Sequence, residues 1–271
     1  MASKASGQQT TSNINHNKNL PMRFSLASCR PGQPGKVPGG NVLKIFLAHC
    51  VRIYKHKMTK PFSIQNLLAG KLSAGINLFH GVSGCQADLL AEFISRQVAA
   101  IRLSHLQSLP PGFAWSRQLY KSFHIDPTKH RPSSEALWRR LRDKNDFPAV
   151  NPLVDLTNLL SLKFQICYGL YDLEHVHGPV VITLGKESDQ YQGIRKEALN
   201  FNGKIVLRDE QGAFGNPSSD SLRASVSEAS REVNQVLFFH PDDPLRETIL
   251  AETAAVFRQF FTMAESRSFF N

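Results

Sequence analysis

Aspartate and glutamate are missing from the first 87 residues, although that stretch carries 11 lysines and arginines. The first acid is Asp88, and from there to residue 271 the chain has 21 basic and 22 acidic residues. The net charge of +10 therefore belongs to the N-terminal third, and the remainder is close to neutral. A near-neutral body argues against binding of polyanions through bulk charge alone. Cysteine is scarce as well. Cys29, Cys50, Cys85 and Cys167 show no CxxC spacing, which indicates neither a zinc site nor a disulfide framework. A reduced, cytoplasmic setting is the expectation, with no metal and no cofactor. No apolar run approaches the roughly 18 residues needed to cross a bilayer. The most apolar early stretch, "NVLKIFLAHCVRIY", is broken by Lys44 and Arg52 and has no small-residue cleavage site. No membrane partner is expected.

Three readings fit the acid-free region. A basic arm would hold RNA by releasing counterions. An organelle transit peptide is also acid-poor and Ser-rich, but this stretch is long and sparse in arginine. The third is an extension without a role of its own. The cluster "CRPGQPGKVPGG" at 29–40 reads as unstructured, and residues 1–70 are taken as an extension outside the folded domain.

Regular structure is expected from about residue 73. "AGINLFHGV" (74–82) reads as a short buried strand. The following "QADLLAEFISRQVAAIRLSHL" places Leu89, Leu90, Phe93, Ile94, Val98 and Ile101 at helical spacing. After the loop "LPPGF" (109–113) comes a short helix, "AWSRQLYKSF". The stretch "FHIDPTKHRPSSEALWRRL" (123–141) then predicts a helix approached through Pro132, with Ser133 or Ser134 as cap and a favourable Glu135–Arg139 pair. "VNPLVDLTNLLSLKF" (150–164) predicts another, with Asn151 as N-cap and Pro152 at the first helical position. Strands are expected at 179–185, 204–210 and 232–239, with "GNPSSDS" (215–221) as a polar loop. A last helix opens at Asp243 and Pro244 and buries Leu245, Ile249, Val256 and Phe260. Elements of both kinds without regular β–α alternation favour an α+β fold, a mixed or antiparallel sheet core packed with helices.

Few residues declare a chemistry. Ser83, in Gly-Val-Ser-Gly-Cys, misses the G-x-S-x-G spacing of a nucleophile elbow by one residue. Cys85, near a helix start, could have a lowered thiol pKa, or could be small apolar filler. His175 and His177 alternate as strand residues do, but no third ligand lies near them in sequence. No glycine loop of either common phosphate-binding type is present. Lys129, His130, Arg131, Arg139, Arg140, Arg142 and Lys144 outnumber Glu135 and Asp143, which fits either RNA phosphate contact or a solvated helix face.

"IDPTKHRPSSEALWRRL", "NPLVDLTNLLSLKF" and "GLYDLEHVHG" follow one another, and "RDEQGAFGNPSSDS" and "EVNQVLFF" come later in the same order. Together they resemble the B3/B4 (tRNA-binding, editing) domain of the phenylalanyl-tRNA synthetase beta subunit. The resemblance is closer still to freestanding proteins made of little else. It is clearest over 113–262, and a B3/B4-like domain is expected over 71–265. The resemblance implies binding of the aminoacylated 3′ end of tRNA and hydrolysis of mischarged aminoacyl-tRNA in trans, or a non-catalytic binding module of the same descent. It implies no synthetase activity, since no aminoacylation core is present, and no DNA partner. The synthetase domain edits because one amino-acid pocket cannot separate close analogues in a single binding step. Its substrate is an activated ester, so placing water and polarising the carbonyl can suffice.

The alignment that the resemblance implies puts Gly169 where the synthetase domain has a pocket histidine, and Phe239 where it has a pocket glutamate. The region around "GNPSSDS" replaces a glycine-rich loop. Within the matching motifs, the candidates for contact with substrate are Arg131, Asn151, Asp155, Asn158, Gly169, Tyr171, Asp172, Asn216, Ser219 and Asp220. Lys129, Arg139 and Arg140 are the candidates for tRNA phosphates. Most of these are also the residue types that cap helices and form turns.

Overall fold

The computed structural model describes residues 62–105, 108–194 and 198–271. Most of the expected extension over 1–70, and the Pro/Gly-rich cluster within it, lies outside the described residues. Its last part does not match that expectation, because strand β1 (Ile64–Asn66) falls before the boundary expected at residue 71. Asn66 holds it there, with its side-chain amide donating to the carbonyls of Leu72 and Asn271.

Twelve strands and five α-helices follow one another among the described residues. After β1 come β2 (Ser73–His80), β3 (Gly84–Cys85) and then four helices in succession: α1 (Ala87–His105), α2 (Phe113–Ser122), α3 (Ser133–Lys144) and α4 (Pro152–Phe164). The chain then turns to strands: β4 (Cys167–Asp172), β5 (Val180–Leu184), β6 (Gln190–Gln192), β7 (Ala198–Asn200), β8 (Ile205–Asp209), β9 (Gly212–Gly215) and β10 (Glu232–Phe239). Helix α5 (Arg246–Phe260) and strands β11 (Phe261–Thr262) and β12 (Glu265–Phe270) complete it. The fold is α+β.

Two four-stranded sheets form the centre. One, in the order β12-β2-β10-β4, is antiparallel throughout. The other, β1-β5-β8-β9, is mixed, with β1 parallel to β5 and the remaining pairs antiparallel. Alternation along the strands sends successive side chains to opposite faces of the first sheet. Phe79, Tyr168, Leu170, Leu237 and Phe239 join Leu90, Trp138, Leu156, Leu160 and Phe257 from the helices. Ile76, Leu78, Tyr171, Val236 and Phe238 join Val180, Ile182, Leu207 and Phe214 of the second sheet. The layers are therefore helices, sheet, sheet. A sheet covered on both faces needs apolar residues at almost every position, and "AGINLFH" and "EVNQVLFF" have that composition.

Among the exceptions, Asn234 is fully buried with neither polar side-chain atom hydrogen-bonded, whereas Asn77 and Gln235 pair with one another. Asn77 faces Gln235 across the β2–β10 register and donates to its side-chain carbonyl at 3.0 Å. Gln235 donates in turn to Thr157 on α4 at 3.3 Å, and Ser268 on β12 donates to Asn77 at 2.7 Å. This chain of polar groups crosses the layer between sheet and helices and offsets the desolvation of each member.

Helix starts divide into those read correctly from sequence and those not. Asn151 accepts from Val154 N–H at 3.0 Å, with Pro152 next, as expected. At α3 neither serine caps. Pro132 occupies the cap position in extended conformation, Ser134 is buried against Cys167, and both serines lie inside the first turn. Asp243 accepts from Leu245 N–H in the turn before α5 rather than opening the helix, and Leu245 is exposed instead of buried. Leu89 also points outward, because α1 buries the narrower stripe that contains Leu90 and Val98.

Leu156 is fully buried in the helical layer, whereas Leu103 on α1 is exposed. Leu156→Ala is expected to cost about 2–5 kcal/mol in urea denaturation, and Leu103→Ala less than about 0.5 kcal/mol.

Candidate functional site

Helix α2 and the 216–219 loop meet through two hydroxyls. Tyr120 is buried, and its phenol oxygen lies 2.5 Å from Ser218 Oγ. Ser218 also donates to the Arg131 carbonyl at 3.1 Å, which ties the segment leading into α3 to the same loop. The loop is shaped from within by Asn216. Its side-chain oxygen accepts from Ser218 N–H at 2.8 Å, and its amide donates to the Ile205 carbonyl. Between these elements and the β7–β8 turn is a cavity of about 300 Å³. Its floor is Tyr120, Ile205, Phe201 and Asn216, and its rim includes His130, Arg131, Asn200 and Lys204.

Among the described residues the lining holds no carboxylate. Arg131 and Lys204 make the rim positive. Partial desolvation and the charge of Lys204 push the His130 pKa down, so the imidazole adds a neutral ring at physiological pH. Burial holds the Tyr120 phenol well above its ordinary value, so it stays a hydrogen-bond donor throughout the neutral range. The Ser218 hydroxyl bonds to Tyr120 and to a backbone carbonyl, and hydrogen-bonds no histidine or carboxylate among the described residues.

Of the residues proposed from sequence, Arg131, Asn216 and Ser219 line this cavity. A second group adjoins it. Tyr171 donates to Asp220 at 2.7 Å, and Tyr191 donates to the Ser219 carbonyl. Gly169 and Gly215 make room for that phenol. A Cβ on either would fall 2.2 Å and 2.4 Å from the Tyr171 hydroxyl oxygen. Gly169, where the resemblance places a histidine, is thus a space filled by the chain's own tyrosine. Phe239 is buried in the helical layer, its ring 6.0 Å from that of Phe270.

The remaining candidates do not line the cavity. Asn151 caps α4, and Asp155 accepts from Val150 N–H at 2.8 Å, its pKa raised by desolvation. Asn158 is half-buried on the same helix. Asp172 ends strand β4 and accepts from Glu174 N–H and Ser230. Among the phosphate candidates, Lys129 is exposed, Arg139 bonds Glu135 at 3.1 Å and Arg140 pairs with Asp146. The Gly-Val-Ser-Gly-Cys turn does not activate its thiol, because burial raises the Cys85 pKa. Sequence reasoning missed Tyr120 and Lys204. Tyr120 reads only as an aromatic on a helical stripe, and Lys204 is remote in sequence from the motifs it meets.

Desolvation pushes the Asp220 pKa from 3.8 to about 7, against the lowering effect of hydrogen bonds from Tyr171 and from the backbone of Leu170 and Asn216. The folded chain therefore binds a proton here that the unfolded chain has released. The contribution of this group to stability falls as pH rises from about 4 to about 7 and is level above that. Asp220→Asn is expected to flatten this part of the profile, so that the urea midpoint drops less between pH 5 and pH 8 than in the unsubstituted protein.

No curated protein sequence matches the chain. One solved structure that is similar is an N-terminal fragment of the phenylalanyl-tRNA synthetase beta-subunit from Pyrococcus horikoshii. The similarity covers 72% of this chain at 10% identity, with a TM-score of 0.36. The chain spans about half of that fragment, 49% of its length. No helix among the described residues is long and apolar enough to cross a membrane. At the level of family, residues 116–243 match the B3/4 domain, a span that contains α3, α4, β4, β10 and the 216–219 loop. This part of the chain is therefore similar to the B3/4 domain.

Proposed function

We propose that the protein binds the aminoacylated 3′ end of tRNA and hydrolyses mischarged aminoacyl-tRNA in trans. The observation that carries this reading is the carboxylate-free cavity with Arg131 and Lys204 on its rim and the Tyr120 hydroxyl in its floor. The rim suits the terminal phosphate of an RNA strand, and the floor has room for an aminoacyl group. In the reaction, water attacks the ester carbonyl, the acyl carbon–oxygen bond to the ribose breaks, and the ribose oxygen leaves with a proton. At rest the Tyr120 proton goes to Ser218 Oγ, because Ser218 gives its own to the Arg131 carbonyl; in the reaction Tyr120 turns that proton to the negative charge that develops on the carbonyl oxygen. No side chain of the cavity is assigned as nucleophile, and an activated ester needs none. On this reading the functional unit is the B3/B4-like region expected over 71–265, extended in the structure by β1 and by the rest of β12, and it acts in the cytoplasm.

A binding module without turnover is the second reading. It is favoured by Gly169 and Phe239, which present no acid or base where the resemblance places a histidine and a glutamate.

A panel of mischarged tRNAs incubated with the full chain separates the two. Faster ester loss is expected for at least one aminoacyl group, and Tyr120→Phe, still folded by thermal melting, is expected to slow it by about tenfold or more. Tight tRNA binding with no acceleration for any amino acid would establish the second reading instead.

A further inference from the structure

Glu135, in the first turn of α3, has a side chain only 1% exposed, and three arginines converge on it. Arg117 on α2 grips it as a fork, Nε to one oxygen and Nη2 to the other, both at 2.8 Å. Arg139, one turn along α3, donates at 3.1 Å. Arg131 stands 3.8 Å away on the other side. One negative charge thus holds three positive ones. Asp143 on the last turn of α3 also faces Arg139, but it is bonded to a fourth arginine, Arg142, at 2.6 Å. Counting all six groups leaves two positive charges unbalanced.

The arginines are neither buried nor free. Their side chains are 31–40% exposed, while Glu135 fixes the inner edges of Arg117 and Arg139 by hydrogen bonds and holds Arg131 by charge alone at 3.8 Å. Each guanidinium has five N–H groups, and the carboxylate takes at most two from any of them. The outward N–H groups are therefore held in place, in the planar geometry that suits phosphate oxygens. An ordinary solvated basic face has no such buried anchor. Arg131 belongs both to this cluster and to the cavity rim, so the two features are continuous.

We propose that Arg117, Arg131 and Arg139, braced by Glu135, form a cradle for the phosphodiester backbone of a single-stranded RNA end whose terminal residue enters the cavity. The cradle rests on the cavity being the acyl site. It adds Arg117, which no sequence motif indicated, and gives Glu135 the part of a positioning residue. Arg140, paired with Asp146 outside the cluster, is not part of it.

The test uses the full chain with two probes: a short single-stranded RNA ending in CCA, and a phosphate-free aminoacyl-adenosine amide. Arg117→Ala and Arg139→Ala are each expected to weaken the RNA at least threefold more than the amide. Each should also reduce the slope of log affinity against log salt by about 0.7, the value for one phosphate contact on a single strand. Arg117→Lys should restore the slope but not the full affinity, because it keeps the charge and loses the fork. Arg96→Ala on α1, outside the cluster, serves as the charge control, and thermal melting verifies folding. Unchanged slopes in both alanine variants, or an equal loss in Arg96→Ala, would overturn the cradle, as would no binding of the RNA at low salt. Failure of the amide alone, with the slope changes present, removes the cavity reading and leaves the cradle standing.

Discussion

Strand β10 is hydrogen-bonded along both edges and covered on both faces, and the candidate site depends on that confinement. Its pairing with β2 runs from Glu232 opposite His80 to Phe239 opposite Ser73, and its pairing with β4 from Val233 opposite Asp172 to Phe238 opposite Cys167. A slip of one residue would turn every apolar side chain to the wrong layer, so the register is strongly specified. With β4 so fixed, Tyr171 must face the second sheet, where it reaches Asp220 and backs the 216–219 loop. The polar groups Asn77 and Gln235 sit opposite each other in the same register and would be stranded in any other.

Charge in this protein is organised on two scales. Over the whole chain the excess is confined to the acid-free N-terminal region, and the remainder is neutral in sum. Within that remainder the charges are not evenly mixed. Acids are excluded from the cavity lining, and the buried Glu135 carboxylate is surrounded by guanidinium groups that keep its pKa below the ordinary value. A neutral total thus hides a local field, and only the fold brings Arg117, Arg131 and Arg139 to one carboxylate.

The helices were legible because amphipathic spacing and capping residues act over a few positions. Asn151 with Pro152 marked the start of α4 correctly, and the Glu135–Arg139 pair formed as its spacing implied. The serines after Pro132 misled because a capping residue type says nothing of which position the chain assigns it. Strand β4 was not read from sequence, because Gly169 and Asp172 are poor strand indicators. Its identity comes from β10, whose edge it completes. Strand β12, "ESRSFF", has mostly exposed side chains and carries no apolar run to announce it. The site was legible only where family motifs fall, at Arg131, Asn216 and Ser219. Tyr120 and Lys204 reach the cavity through the pairing of distant elements, which no local pattern records.

The packing of Tyr171 between Gly169 and Gly215 bears on how such a site can change over time. A side chain at 169 and a phenol at 171 claim the same volume, so neither position can be altered independently of the other. Trimming the tyrosine first opens a void and leaves Asp220 without its side-chain donor. Enlarging the glycine first forces a clash in a layer that has no slack. An arrangement with a functional side chain at 169 and the present one are therefore neighbours in sequence but separated by a destabilised intermediate. That barrier favours lineages that keep one solution or the other and discourages drift between them.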